Sequence, residues 1–242
     1  MVEIEQHARK NAILSAIPRE EFHRLLRQMR TVKVEAKQVV YQEGQPIDQI
    51  YFPTTALMSM LMPTAEGETV ELAMVGREGI VGVSALLNSS KSRDCGTLAK
   101  VITLIPGNAV QIKSVVFESA MEKSLHISRC LRSYWGFLFT ELSLSVSCNR
   151  LHSLEQRCAR WLLTAMDKSG GVQEVLVTQE MLAAILGVVR QSIFQILNDF
   201  ESKHIIKCGW GTIKVESRQR LAAAACECYG ILKKRSERMT AL

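Results

Sequence analysis

With 242 residues and 47% hydrophobic side chains, the chain can build one large or two small globular cores and is too apolar to be disordered. No run of about 18 apolar residues occurs, which argues against a spanning helix, and the charged opening MVEIEQHARKNAIL lacks the apolar stretch of a secretory signal, so a cytoplasmic location and no membrane are expected. The net charge of +6 is unevenly spread: residues 1–147 carry 16 Lys+Arg against 15 Asp+Glu and residues 148–242 carry 14 against 9, a local basic excess that suits a polyanionic partner.

Arg19–Met29 (REEFHRLLRQM) has helical spacing, with Phe22, Leu25, Leu26 and Met29 on one face and Pro18 just before it. From Thr31 the texture changes to short alternating runs cut by glycine and proline: TVKVEAKQVVYQEG, DQIYFPTTALMSMLMP, GETVELAMVG and TLAKVITLIPG. Several short strands so closely spaced predict a compact antiparallel barrel or sandwich over roughly residues 31–112.

After Gly107 the glycines thin out, and the run from Ser114 to His152 reads as one or two helices. Leu131, Trp135, Leu138, Leu142 and Ser145 recur at steps of four, three, four and three, the spacing of a coiled-coil seam. Phe137, Leu144 and Tyr134 lie on other faces, so more than one side must be buried. A dimer helix with Leu131, Trp135, Leu138 and Leu142 at the interface is expected, against the alternative of a helix buried in its own monomer. His152–Gly171 follows as a helix capped by Ser153 with Gln156 as capping-box partner and closed by Gly170-Gly171.

Next come a short strand, EVLV, and the stretch VTQEMLAAILGVVRQSIFQILNDF. Thr178 precedes a helix with Leu182, Ala183, Ile185 and Leu186 on its buried side. Gly187 closes it, and a second helix from about Arg190 buries Ile193, Ile196, Leu197 and Phe200. Its other face carries Arg190, Gln191, Ser192, Gln195, Asn198 and Asp199. Two helices around a short glycine turn make a helix-turn-helix, whose second helix enters the major groove. Arg pairs with guanine and Gln with adenine, so this face suits base reading. KHIIKCGWGTIKVES then resembles a β-wing, with Lys207 and Lys214 flanking its tip for phosphates and Trp210 expected to pack on the domain.

The stretch from Val177 to Leu197 resembles the helix-turn-helix of the Crp–Fnr family of bacterial transcription regulators, through Thr178, Leu182-Ala183, Gly187, Arg190-Gln191 and Gln195. The resemblance extends over nearly the whole chain. It implies an α+β fold: a jelly-roll-like antiparallel β-roll with flanking helices, a long dimerisation helix and a C-terminal winged helix-turn-helix. The expected boundaries are 1–118 for a cyclic-nucleotide-binding-like sensor, 119–149 for the dimer helix and hinge, and 150–242 for the DNA-binding domain. The implied partners are a palindromic double-stranded operator, a second copy of the chain, RNA polymerase and a small-molecule effector of unknown identity, with Thr178, Gln179, Arg190, Gln191, Ser192, Gln195, Lys207 and Lys214 at the DNA. The family's Glu is Gln191 here and its second reading Arg is Gln195, which predicts a different operator with more A·T pairs at those positions.

Val75–Ala99 corresponds to the family's phosphate cassette, with Gly82, Val83 and Arg93 in the effector-pocket positions. The family's ribose-binding Glu is Val83, which accepts no hydrogen bond, and Asp94 follows Arg93 with the wrong charge for a phosphate. Cyclic-nucleotide binding in the usual mode is therefore not expected. No cysteine precedes Cys95, which excludes the N-terminal thiolate cluster of an iron–sulfur sensor. His7, His23, His126 and His152 lack partners at haem-ligand spacing, so no haem, and no metal, is expected. The seven cysteines lack finger spacing and read as reduced thiols. Cys130, Cys148 and Cys158 leave a redox switch open, and Cys226-Glu227-Cys228, one residue short of a C-x-x-C turn, reads as incidental. No Ser–His–Asp order, P-loop or H-E-x-x-H occurs, so an enzyme is not expected. The competing function is a small-molecule-binding module with weak or secondary DNA binding.

Overall fold

The computed structural model describes residues 2–65, 69–86 and 96–240. Three short helices open it: α1 (Val2–Ala8), α2 (Ala12–Ala16) and α3 (Arg19–Leu26). Asn11 caps α2, its Oδ1 accepting from the amides of Ile13 and Leu14, while its Nδ2 donates to the carbonyls of Pro53 and Gly79. One buried amide thus fills the orphan donors of a helix start and ties that helix to the strands. Phe22, Leu25, Leu26 and Met29 are buried together, as the helical spacing predicts.

Seven strands follow: β1 (Arg30–Val34), β2 (Val39–Tyr41), β3 (Gln49–Pro53), β4 (Leu57–Pro63), β5 (Thr69–Val75), β6 (Lys100–Ile105) and β7 (Gly107–Lys113). They form two antiparallel sheets, ordered β1-β7-β3 and β2-β6-β4-β5. Strand β7 is central in the first sheet and was not among the strands expected: Pro106-Gly107 reads as the end of a strand, whereas the chain reverses there into the next one. The roll is filled by Tyr41, Met58, Val75, Val81 and Val101, with Tyr51 packed edge-on to Tyr41 at a ring distance of 5.8 Å.

The helical run is two helices, α4 (Ser114–Lys123) and α5 (Leu125–Leu151), so both internal domain boundaries expected from the sequence fall inside helices. Helix α5 buries Ile127, Leu131, Tyr134 and Phe137 against its own roll and N-terminal helices. Leu131 is therefore corrected as a dimer contact: it is fully buried in its own protomer. Trp135, Leu138 and Leu142 are half-buried, the first two against that same core. The outward face carries Phe139 and Val146, each 72% exposed. The periodicity points to a second apolar face, and of its four residues the roll takes Leu131.

The C-terminal part comprises α6 (Leu154–Lys168), β8 (Glu174–Leu176), α7 (Gln179–Leu186), α8 (Arg190–Ser202), β9 (Ile206–Cys208), β10 (Thr212–Val215), α9 (Arg218–Ala224) and α10 (Cys228–Thr240). The Ser153–Gln156 capping box at the start of α6 is complete. Helix α10, which carries no distinct periodic signal, packs back on α5 and α6, and its Met239 joins the N-terminal core.

The parts share a core and are not beads on a string. Leu57, Leu61, Met74, Leu104 and Ile105 of the roll pack with Trp161, Leu162, Ile185 and Leu186. Two polar links cross the same boundary. Trp161 Nε1 donates to Glu71 at 2.7 Å, and Lys168 Nζ lies 2.8 Å from Glu141 Oε1 and 3.2 Å from Glu78 Oε1. Lys168 also donates to the Met74 carbonyl. Burial opposes its charge, but the carboxylates of Glu141 and Glu78 hold it above the ordinary lysine range.

Candidate nucleic-acid interface

Thr178 starts α7 by accepting the Met181 amide at 3.1 Å, and its position is that of a helix cap. Gly187 ends the helix at φ 65° and ψ 46°, a left-handed turn that glycine adopts without strain. The chain then enters α8, and the two helices are bent by 111° across the break, within the range of helix-turn-helix pairs. Ile193, Leu197 and Phe200 are buried beneath α8, which leaves Arg190, Gln191, Gln195, Asn198 and Asp199 exposed and Ser192 half-buried.

Strands β9 and β10 form the wing, paired with β8 on the other side. Lys207 and Lys214 are direct cross-strand partners and both are exposed. Like charges placed opposite each other are unfavourable unless an anion lies between or beside them. Trp210 at the wing tip is fully exposed, at 104%, which corrects the expectation that it packs on the domain. Gly209 and Gly211 flank it, and Gly211 takes a positive φ of 73°.

A groove of about 630 Å³ gathers Thr178, Gln179 and Arg190 with the wing tip at Gly209, Trp210 and Gly211. Its far wall is Ala36, Lys37 and Leu104 of the roll. Gln191, Ser192, Gln195, Lys207 and Lys214 lie outside this groove, further along α8 and the wing. Arg190 is not free: its guanidinium sits 2.9 Å from Glu180 Oε1 on α7, with both side chains exposed. Such a surface pair is worth about 0–1 kcal/mol and yields readily to a better partner.

Of the cassette positions, Gly82 and Val83 are among the described residues. Gly82 has φ 91°, and a Cβ there would lie 2.7 Å from the Tyr41 hydroxyl. Val83 is buried in the cluster with Phe22 and Tyr134, and Arg93 lies outside the described residues. His7, His23, His126 and His152 each lie against a carboxylate or carbonyl oxygen.

Two groups escaped the sequence reading. One is the buried Lys168–Glu141–Glu78 cluster. The other gathers Cys148, His152, Cys226 and Cys228, whose ligand atoms all lie within 4.8 Å of one another. Each draws on segments far apart in the chain, so no linear spacing could have announced it.

A family model described as the cyclic nucleotide-binding domain matches residues 31–124, and one described as the Crp-like helix-turn-helix domain matches residues 156–224. No curated protein matches the chain. Among solved structures, a protein from Eubacterium rectale described as a transcriptional regulator of the Crp/Fnr family superposes with a TM-score of 0.68 at 15% identity, over 89% of this chain and 98% of that one. FixK2 from Bradyrhizobium japonicum gives 0.67 at 15%, over 82% and 98%. CLP from Xanthomonas campestris, a c-di-GMP-responsive global regulator, gives 0.66 at 14%, over 83% and 100%. At these identities the likeness establishes the fold, and the two family models, which between them span more than half of the sequence, establish the kinship. The chain belongs to the Crp–Fnr family of transcription regulators.

Proposed function

We propose that this regulator binds a palindromic operator as a homodimer, with Arg190, Gln191, Ser192 and Gln195 at the base edges and Lys207 and Lys214 at the phosphates. The observation that carries this reading is the groove where Arg190 and Gln179 meet an exposed wing tip, beside an α8 face made of hydrogen-bonding side chains. Arg at the helix start suits a guanine and the two glutamines suit adenines, because each side chain presents paired groups to those bases. Phe139 and Val146 on the outer face of α5 supply the apolar contact between protomers, and twofold symmetry then sets half-sites about 34–36 Å apart. RNA polymerase is the further partner this role requires.

The roll is proposed not to take a cyclic nucleotide in the usual mode. Val83 offers no acceptor to a ribose, and the interior is filled by Tyr41, Met58 and Val101. No iron–sulfur cluster or haem is assigned to it.

Selection of bound sequences from random duplex DNA by the full chain tests the proposal. The expected product is a twofold-symmetric site with one fixed guanine per half and A·T pairs at the glutamine positions. No enrichment over the input pool, from folded protein, would contradict it.

A further inference from the structure

Cys148 and His152 sit one turn apart at the C-terminal end of α5, and the His152 amide donates to the Cys148 carbonyl at 3.1 Å to close that turn. Cys226 lies in the link between α9 and α10, and Cys228 opens α10. Residues one helical turn apart share a face, so the two pairs converge across the hinge. The three cysteines are buried, at 0%, 3% and 4% exposure. The three sulfurs and one imidazole nitrogen all lie within 4.8 Å of one another. Cys148 Sγ and Cys226 Sγ are 3.8 Å apart. A disulfide holds its sulfurs at about 2.0 Å. Two thiolates on one tetrahedral zinc-type ion, with Zn–S near 2.3 Å, lie about 3.8 Å apart.

His152 provides an independent sign. Its Nε2 lies 3.1 Å from Glu227 Oε1, while its Nδ1 is buried without a hydrogen-bond partner. A carboxylate on one ring nitrogen fixes the proton there and leaves the lone pair on the other, the arrangement that orients histidine ligands on metals. A buried nitrogen without a partner is otherwise costly. Packing of three small apolar thiols accounts for the burial of the cysteines but not for this nitrogen.

We propose that Cys148, His152, Cys226 and Cys228 form a mononuclear Cys₃His site for a thiophilic divalent cation of the Zn²⁺ class. On binding, three thiols each release one proton and their sulfurs bond to the ion, with neutral Nδ1 as fourth ligand. These four ligands displace waters from the hydrated ion, with no oxidation or reduction. Four protein ligands close the shell, so the site is structural and not catalytic. All four residues lie outside the two segments matched by the family models. It would clip the α5–α6 hinge, at His152 and Ser153, to the far end of the DNA-binding part. The short Cys-Glu-Cys run, incidental in sequence, gains its meaning from α5.

Cobalt substitution tests this on the full chain. After chelation under reducing conditions, Co²⁺ alone is titrated in and the absorption followed. One Co²⁺ per protomer is expected, with thiolate charge-transfer bands and the intense d–d bands of a tetrahedral site, both abolished by Zn²⁺. H152A and C226S/C228S should lose them, while C130S/C158S keeps them. Because buried Cys→Ser changes can disturb folding, alkylation of the wild type gives a second reading: Zn²⁺ should shield Cys148, Cys226 and Cys228 together. Absent bands with no shielding in folded protein would overturn the proposal. So would a Cys148–Cys226 disulfide in protein freshly purified without added oxidant, or iron with acid-labile sulfide in place of one ion.

Discussion

At the scale of single residues, the reading face rests on Arg190. It stands first in α8, exposed at the groove, and pairs with the exposed Glu180. Arg190→Ala should cost about 1–3 kcal/mol on the selected operator and relax preference at one base pair. Lys207 and Lys214 oppose each other across the wing, and the proposal gives them phosphates and no bases. Replacing either by Ala should weaken all sequences alike and lower the slope of log K against log salt by about 1. Glu71 gives a separate prediction. Burial pushes its carboxyl from the ordinary 4.5 up to about 7, against the hydrogen bonds from Ser59 and Trp161 that favour the charged form. A pKa raised on folding means that the folded state binds the extra proton, so stability falls as pH rises from about 4.5 to 7 and levels off above it. Thermal unfolding of wild type and Glu71→Gln across that range should show a steeper slope in the wild type, the remainder in the variant coming from Glu141, whose carboxyl burial also raises.

At the scale of elements, local rules were readable and partners were not. The capping box of α6, the Thr178 cap, the left-handed Gly187 and the wing strands follow from neighbouring residues, and each was legible before any coordinates. Strand β7 was missed because its strand character comes from pairing with β1 and β3, distant in sequence. Helix α5 was legible as a helix with two apolar sides, but the heptad could not say which side faces its own roll. The structure gives Leu131 to the monomer and leaves Phe139 and Val146 outside. Phe139→Glu should therefore shift the protein to monomers in sedimentation with an unchanged fold, because it loads an exposed position. Leu131→Glu should unfold it, since a charge buried without a partner is strongly disfavoured.

At the scale of the whole molecule, the roll, α5 and the DNA-binding part are joined by a continuous apolar core and by the buried cluster around Lys168. Lys168→Ala would leave Glu141 and Glu78 facing each other without a cation, and removal of one member of a buried ion pair costs about 3–5 kcal/mol. Urea unfolding should report a loss of that size. None of this coupling was visible in the sequence, because Glu78, Glu141 and Lys168 come from three separate elements and nothing in their spacing links them. The groove beside Arg190 has the same origin, with one wall from the roll and one from the reading helix. The proposed function turns on base reading by α8. The most direct measurement is the ratio of affinities for the selected operator and a scrambled duplex at one salt concentration, for wild type and Arg190→Ala. The wild type should show a large ratio and Arg190→Ala a ratio reduced about tenfold or more, with affinity for the scrambled duplex little changed. Equal losses on both duplexes would contradict the account, since Arg190 would then be holding phosphates and not reading a base.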